Sequence, residues 1–374
     1  MKEAGLTRTR ILLRTDSGKA VVGATVLAPD GDDDKIDPDK IDPDKVDLEK
    51  VDLEKVDPDK VDNGEIDPEK IDNGDGEADK PVVSQVVVWA TAAGSGSDRC
   101  APSLRDSLDP ALIAFAKGGS PVVAVDEPGA GVAGRAQYFV AGSGGRGVLA
   151  AVTFAEQRWP DAEVWLAGIA DGAHRALGAA AQVDEGEHKI AGVVIGSPWI
   201  SGVTGVIDGL NQAAAGRRKA VQALPDAVEA LFVRMVGGIE TAEGAKKSAL
   251  TVDAQKWLDG LEASHDCTAA SLPGRSLVAR VVPPETAAAL DADLALLDRP
   301  RLPVWVVWSR SDSYFNAPDA ATTFASWCLG AAGGGWRELS GSRGAVVAGV
   351  FQSLGLLLDF ADTESFLPMC TPVD

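Results

Sequence analysis

Histidine is scarce in this chain: only His174, His188 and His265 occur among 374 residues. The four cysteines, Cys100, Cys267, Cys328 and Cys370, are scattered and form no C-x-x-C pair. So few imidazoles and no thiol pair exclude a zinc site, and the sequence calls for neither a metal nor a cofactor. Long apolar runs are absent too. No stretch approaches the roughly 18–20 residues that a membrane-spanning helix needs. An excess of basic charge is also missing, since the formal net charge is −21. A protein that grips nucleic acid needs a basic face for the phosphates, so that class is excluded. The first ten residues, MKEAGLTRTR, lack the apolar core of a signal peptide. That fits a leader already removed, or a fragment that enters a strand almost at once.

The charge that is present is unevenly spread. Residues 31–80 carry 21 acids against 8 lysines, leaving 35 acids and 27 bases for the rest. The globular part is therefore only mildly acidic. From Ile36 the sequence repeats every five residues: IDPDK, IDPDK, VDLEK, VDLEK, VDPDK, VDNGE, IDPEK, IDNGD. Five matches neither the helical nor the strand period. Three readings compete: a solvated, proline-stiffened acidic insertion; calcium binding by Asp-rich loops, although no EF-hand spacing occurs; and a short pentapeptide solenoid, with Pro or Asn at most of its interior positions. The first is adopted, with 31–80 as a loop insertion. The even number of cysteines suits two disulfides in an exported protein; four buried free thiols are the alternative.

Outside the repeat the pattern is α/β. Residues 9–15 and 20–28 read as an antiparallel pair joined by Asp16-Ser17-Gly18-Lys19. Valine-rich runs at 85–91, 121–127, 163–168, 191–196 and 303–308 read as buried parallel strands. Helix-length stretches at 106–117, 143–157 and 171–182 alternate with them. Residues 204–295 break this rhythm and read as mostly helical, for example at Asp226–Val236 and Ala254–Ala263. The expected architecture is a doubly wound, mostly parallel sheet of the α/β-hydrolase type. The N-terminal strands occupy 1–30, the repeat 31–80, the core 81–203 and 296–374, and a helical cap 204–295.

One turn should carry chemistry. The strand EVWLAG runs into Gly168-Ile169-Ala170-Asp171-Gly172 and then into a helix. Strand, Gly-x-X-x-Gly turn and helix form the setting of a nucleophile elbow, with the central side chain exposed for attack. Here that side chain is the methyl of Ala170. A late strand leads to Asp312, where a triad acid would sit; capping of the next turn is the alternative role for this Asp. In the order Ser…Asp…His the base follows the acid, yet all three histidines precede Asp312. A second serine, in Ala141-Gly142-Ser143-Gly144-Gly145, has the A-x-S-x-G form; it is either a substitute nucleophile or a helix N-cap. His174, one helical turn beyond Ala170, is either a pocket residue or a satisfied buried histidine.

The segment Asp98-Arg99-Cys100-Ala101-Pro102-Ser103 after VVVWA, followed by Asp126-Glu127-Pro128-Gly129-Ala130-Gly131, resembles the secretory lipase family of α/β-hydrolases. The likeness continues through the helix 146–157, the elbow and the strand before Asp312. The resemblance implies a triad acid at Asp312, a nucleophile position at Ala170 without its serine and a base position at Gly344 without its histidine. It implies that Thr91 and Ala92 replace part of an oxyanion segment, and that Glu127 replaces a pocket tyrosine, beside Asp171 and His174. It implies disulfides Cys100–Cys267 and Cys328–Cys370, and a secreted protein. The departures fall on chemistry while scaffold positions remain, which points to a pseudoenzyme whose ligand is a lipid or an apolar ester. Two other readings stay open: an active carboxylesterase using Ser143 with His174 or His265, and a non-enzymatic surface protein acting through a calcium-binding repeat.

Overall fold

The computed structural model describes residues 6–15, 21–29, 46–47, 83–92, 100–105, 109–132, 134–184, 186–198, 226–245, 248–264, 284–298, 300–311, 323–327, 333–341, 343–360 and 367–368. Consecutive apolar residues in the valine runs have both faces to cover, and the sheet supplies both. β1 (Leu6–Arg14) and β2 (Val21–Pro29) pair antiparallel in unbroken register from Leu6↔Pro29 to Arg14↔Val21. Two residues of the acidic repeat, β3 (Val46–Asp47), add antiparallel to β1. The rest of the repeat and the Asp16–Lys19 turn lie outside the described residues.

The centre is parallel: β4 (Gln85–Ala90), β5 (Val122–Val125), β6 (Glu163–Ile169), β7 (Ile190–Gly196), β8 (Val304–Trp308) and β9 (Gly334–Glu338). β2 joins β5 antiparallel, and β10 (Leu367–Pro368) joins β9 antiparallel. The order across the sheet is β10-β9-β8-β7-β6-β4-β5-β2-β1-β3.

Helices cover both faces. α1 (Pro110–Lys117) starts on the N-cap Asp109, whose carboxylate accepts from Ala111 N at 2.9 Å, with Pro at the first position. α2 (Ala141–Arg158), α3 (Asp171–Gln182), α4 (Asp226–Glu243), α5 (Val252–Ala263), α6 (Pro284–Ala295) and α7 (Arg343–Phe360) follow. The sheet sorts its side chains by parity. Val86, Val88 and Ala90 join the core formed with α2, α3 and the inner residues of α4–α6. Val87 and Trp89 join the core of α1 and α7, where Trp89 stacks on Phe351 with centroids 4.6 Å apart. Each such fully buried large apolar side chain contributes roughly 1.5–3 kcal/mol. α2 and α3 touch through glycine: a Cβ on Gly145 would lie 2.5 Å from Gly178 C and as close to the Gln182 amide, which donates to Gly142 O on α2 at 3.0 Å.

The strand and helix expectations hold within a few residues. The helix expected from 106 begins at Pro110, because Asp109 is its cap. In 204–295 the described elements are α4, α5 and α6. β9 and α7 were not anticipated. Among the described residues no helix is long and apolar enough to cross a membrane.

Candidate active site

The elbow is built as its sequence suggests. Ala170 follows β6 and precedes α3; its N–H donates to Gly196 O at 3.0 Å, and its carbonyl accepts from His174 N at 3.1 Å. Its backbone sits at φ 57, ψ −115, a region that costs any side-chain-bearing residue. The flanking glycines permit this. A Cβ on Gly168 would stand 2.5 Å from Gly172 C, and one on Gly172 would run into the carbonyl of Ala90. The turn therefore holds a strained backbone around a methyl group that is 5% exposed. Relief of that strain, about 1–3 kcal/mol, exceeds the roughly 0.4–1 kcal/mol of chain entropy that a glycine adds to the unfolded state. Ala170→Gly is thus expected to stabilise the protein by about 1 kcal/mol. A urea titration reads this directly; a midpoint shifted downward would mean that the turn stores no strain.

Five of the other expected positions, Thr91, Ala92, Glu127, Asp171 and His174, lie beyond the carboxyl ends of the parallel strands. Thr91 follows β4 and is buried, with its N–H and Oγ1 both donating to Val125 O at 3.0 and 2.9 Å; Ala92 is exposed. Asp126 and Glu127 follow β5, and Asp171 and His174 lie in the first turn of α3, all four buried. Beyond β8, the Ser309 hydroxyl donates to Gly341 O at 2.6 Å. That bond ties the segment leading to Asp312 to the one leading to Gly344, which is exposed near the start of α7. Asp312 itself, His265, Asp98 and Arg99 lie outside the described residues, as do Cys267, Cys328 and Cys370; Cys100 is buried.

Ser143 sits elsewhere. It is the third residue of α2, inside the helix rather than on a turn, and its buried hydroxyl has no hydrogen-bond partner among the described residues. It is not the N-cap either, which corrects that expectation. The N-cap is Val140, and the orphan N–H groups of Ala141 and Gly142 donate to the Asp293 carboxylate of α6 at 2.8 and 2.7 Å. A distant side chain has taken the capping role. Burial lifts the Asp293 carboxyl to about 6, against those two bonds.

Buried charge surrounds the elbow. The Arg175 guanidinium donates to Thr91 O and, at 3.3 Å, to Val125 O, and it faces the Asp171 carboxylate at 3.8 Å. Burial pushes Glu127 up to about 7, with the Asp171 charge adding to the shift and Arg234 and Arg175 opposing it. Burial also lifts Asp126 to about 6, although Ser103 opposes this through its hydroxyl and then its N–H, the latter at 3.1 Å. A Cβ on Gly23 would meet both Asp126 Oδ2 and Ser103 Oγ at 2.9 Å, so that strand leaves room for their bond. This contact links the two segments that carried the family resemblance. Phe139, at φ 57, packs edge-on against His174 with centroids 4.7 Å apart, and Tyr138 does the same against Phe139 at 4.7 Å.

Sequence reading missed Arg175, Arg234, Tyr138, Phe139 and Asp293. Only Arg175 left a local signal, four residues after Asp171 on one helix. Among the described residues no group of three His, Cys, Asp or Glu side chains could hold a metal. Ala170 offers no atom for attack.

No protein-family model and no curated protein matches the chain. Solved structures do match it. The fold is similar to that of lipase A from Candida antarctica in its closed state, with a TM-score of 0.56 and 14% identity, over 93% of this chain and 78% of that one. It is similar as well to a ligand-bound form of the rice cell wall degrading esterase LipA from Xanthomonas oryzae, with a TM-score of 0.55 and 14% identity, over 96% of this chain and 90% of that one. The chain has the α/β-hydrolase fold, as its sequence led one to expect.

Proposed function

We propose that this protein is a secreted, lipase-like member of the α/β-hydrolase fold that has lost ester hydrolysis and keeps an apolar-ligand site against the elbow. The observation that carries this reading is the Ala170 backbone, held at φ 57, ψ −115 around a residue with no nucleophilic atom. Lipases and esterases share the fold, and the departures at Ala170, Gly344 and Thr91-Ala92 all fall where acyl transfer needs a nucleophile, a base and oxyanion donors. In this reading Asp312 is a remnant acid. The expected Cys100–Cys267 and Cys328–Cys370 disulfides belong to the proposal; in support of the first, no described cysteine is free, and Cys100 is the described one.

The test is turnover of p-nitrophenyl butyrate by the full chain. The expected rate equals the buffer rate and does not change in Ser143→Ala. Installing the missing groups together, Ala170→Ser with Gly344→His, should raise turnover at least about tenfold, since nucleophile and base act as a unit. Wild-type turnover well above buffer that vanishes in Ser143→Ala would overturn the proposal and establish the rearranged esterase instead. Binding of cis-parinaric acid to the unaltered chain checks the ligand site; no fluorescence change on titration would remove that half of the reading.

A further inference from the structure

The outer edge of the sheet holds a pairing that the hydrolase reading does not use. β3, two residues of the acidic repeat, is the last strand in the sheet order. It lies antiparallel on β1, with Val46 opposite Leu13 and Asp47 opposite Leu12. The strand it meets is firmly placed: β1 pairs with β2 along its whole length, and Ile11 and Leu13 are buried in the core of α2 and α3. β1 reads LTRTRILLR, with three arginines and no acid. A VDLEK unit carries two acids and one lysine, so charge favours the pairing. The unit that pairs is not an average one. Of the eight units, only 46–50 and 51–55 lack both proline and glycine, which strands disfavour, and these two are identical.

We propose that the β1 edge is a docking site for one acidic VDLEK strand, and that residues 46–50 and 51–55 of the same chain occupy it in exchange. Sliding the repeat by one unit puts Val51 opposite Leu13 and Asp52 opposite Leu12, the same residue types in the same places. Sequence therefore does not choose between the two registers. Both units cannot dock together as one strand. Strand side chains alternate with period two, and the repeat period is odd, so a strand through both would turn their valines to opposite faces. The edge takes one unit and leaves the other to replace it. An outer strand containing Ile11-Leu12-Leu13 is a template for pairing with foreign chains. Two tethered copies of its partner keep that template covered, because the unit that leaves is followed by a neighbour at high effective concentration.

Hydrogen exchange of the full chain, read residue by residue by NMR, tests this. Leu48→Pro and Leu53→Pro each leave one intact unit. Each should keep the protection of Leu12 and Leu13 within about twofold, since losing one of two equal registers halves the pairing constant. The double variant should lose about tenfold at whichever of these amides faces β3, the effect of losing a pair of backbone hydrogen bonds. Amides of β6 and β7 should not follow. A free peptide of residues 45–55, KVDLEKVDLEK, should restore protection to the double variant, and the same peptide with proline at both leucines should not. A second measurement needs no variant: excess free peptide added to the unaltered chain should displace the repeat and shift the Val46 and Asp47 amide signals. The proposal is wrong if either single variant loses as much as the double one, or if the double variant keeps its protection. It is equally wrong if excess peptide displaces nothing, or if protection in the unaltered chain falls on dilution, which would make the occupant a second copy.

Discussion

Replacing Arg175 by methionine is expected to lower folding stability by about 3–5 kcal/mol, the loss typical of removing one partner of a buried ion pair. The side chain is 1% exposed and bonds the carbonyls of Thr91 and Val125, at the ends of β4 and β5, while facing Asp171. Without the guanidinium, both carbonyls lose a donor and Asp171 keeps a buried charge with its partner gone. Methionine is the informative replacement because it retains the stem. That stem packs on the α2 backbone at Gly144, where a Cβ would strike the Arg175 side chain. Lysine is not expected to rescue, since its compact ammonium lacks the planar fork whose two nitrogens each reach one of the carbonyls. The urea midpoint of Arg175→Met measures the loss. Adding Asp171→Asn should recover part of it, because the orphaned charge disappears. A loss below about 1 kcal/mol, the scale of a surface pair, would mean that this arginine does not bind the rim together.

Those contacts also separate what local sequence carries from what it does not. The central strands are legible because parallel strands buried on two faces must be apolar at consecutive positions, as in Gln85–Ala90. The elbow is legible because only glycine fits at positions 168 and 172 around so tight a turn. β9 is not legible: GGWRE has neither an apolar run nor an alternation, and it becomes a strand by pairing with Val304–Trp308. The helical register of Asp171 and Arg175 was available in the sequence. The partners of Arg175 were not, since Thr91 stands 84 residues earlier. The cap on α2 was hidden in the same way, supplied by Asp293 from 152 residues downstream. The candidate site is thus half written in local pattern, in its turn and its absences. Its electrostatic half exists only after the chain folds.

Glycine 172 gives the sharpest check that the elbow is constructed and not a chance Gly-x-x-x-Gly. Gly172→Ala should cost about 3 kcal/mol, the upper end of ordinary overpacking. The added methyl would meet the Ala90 carbonyl head-on, with Ala90 C at 3.1 Å and Thr91 C at 3.4 Å. None of these atoms can yield easily. Ala90 is paired on both sides, with Gly168 on β6 and Val125 on β5, and Thr91 is bonded to Val125 O. The internal control is Gly260, which lies within α5 and has no atom within 4 Å of a built Cβ. Gly260→Ala should stabilise the protein by about 0.5–1 kcal/mol through helix propensity alone. Two identical chemical changes should therefore differ by nearly 4 kcal/mol in urea denaturation. If they come out alike, the close approach of α3 to β4 is not real, and the strained backbone at Ala170 loses the scaffold that holds it.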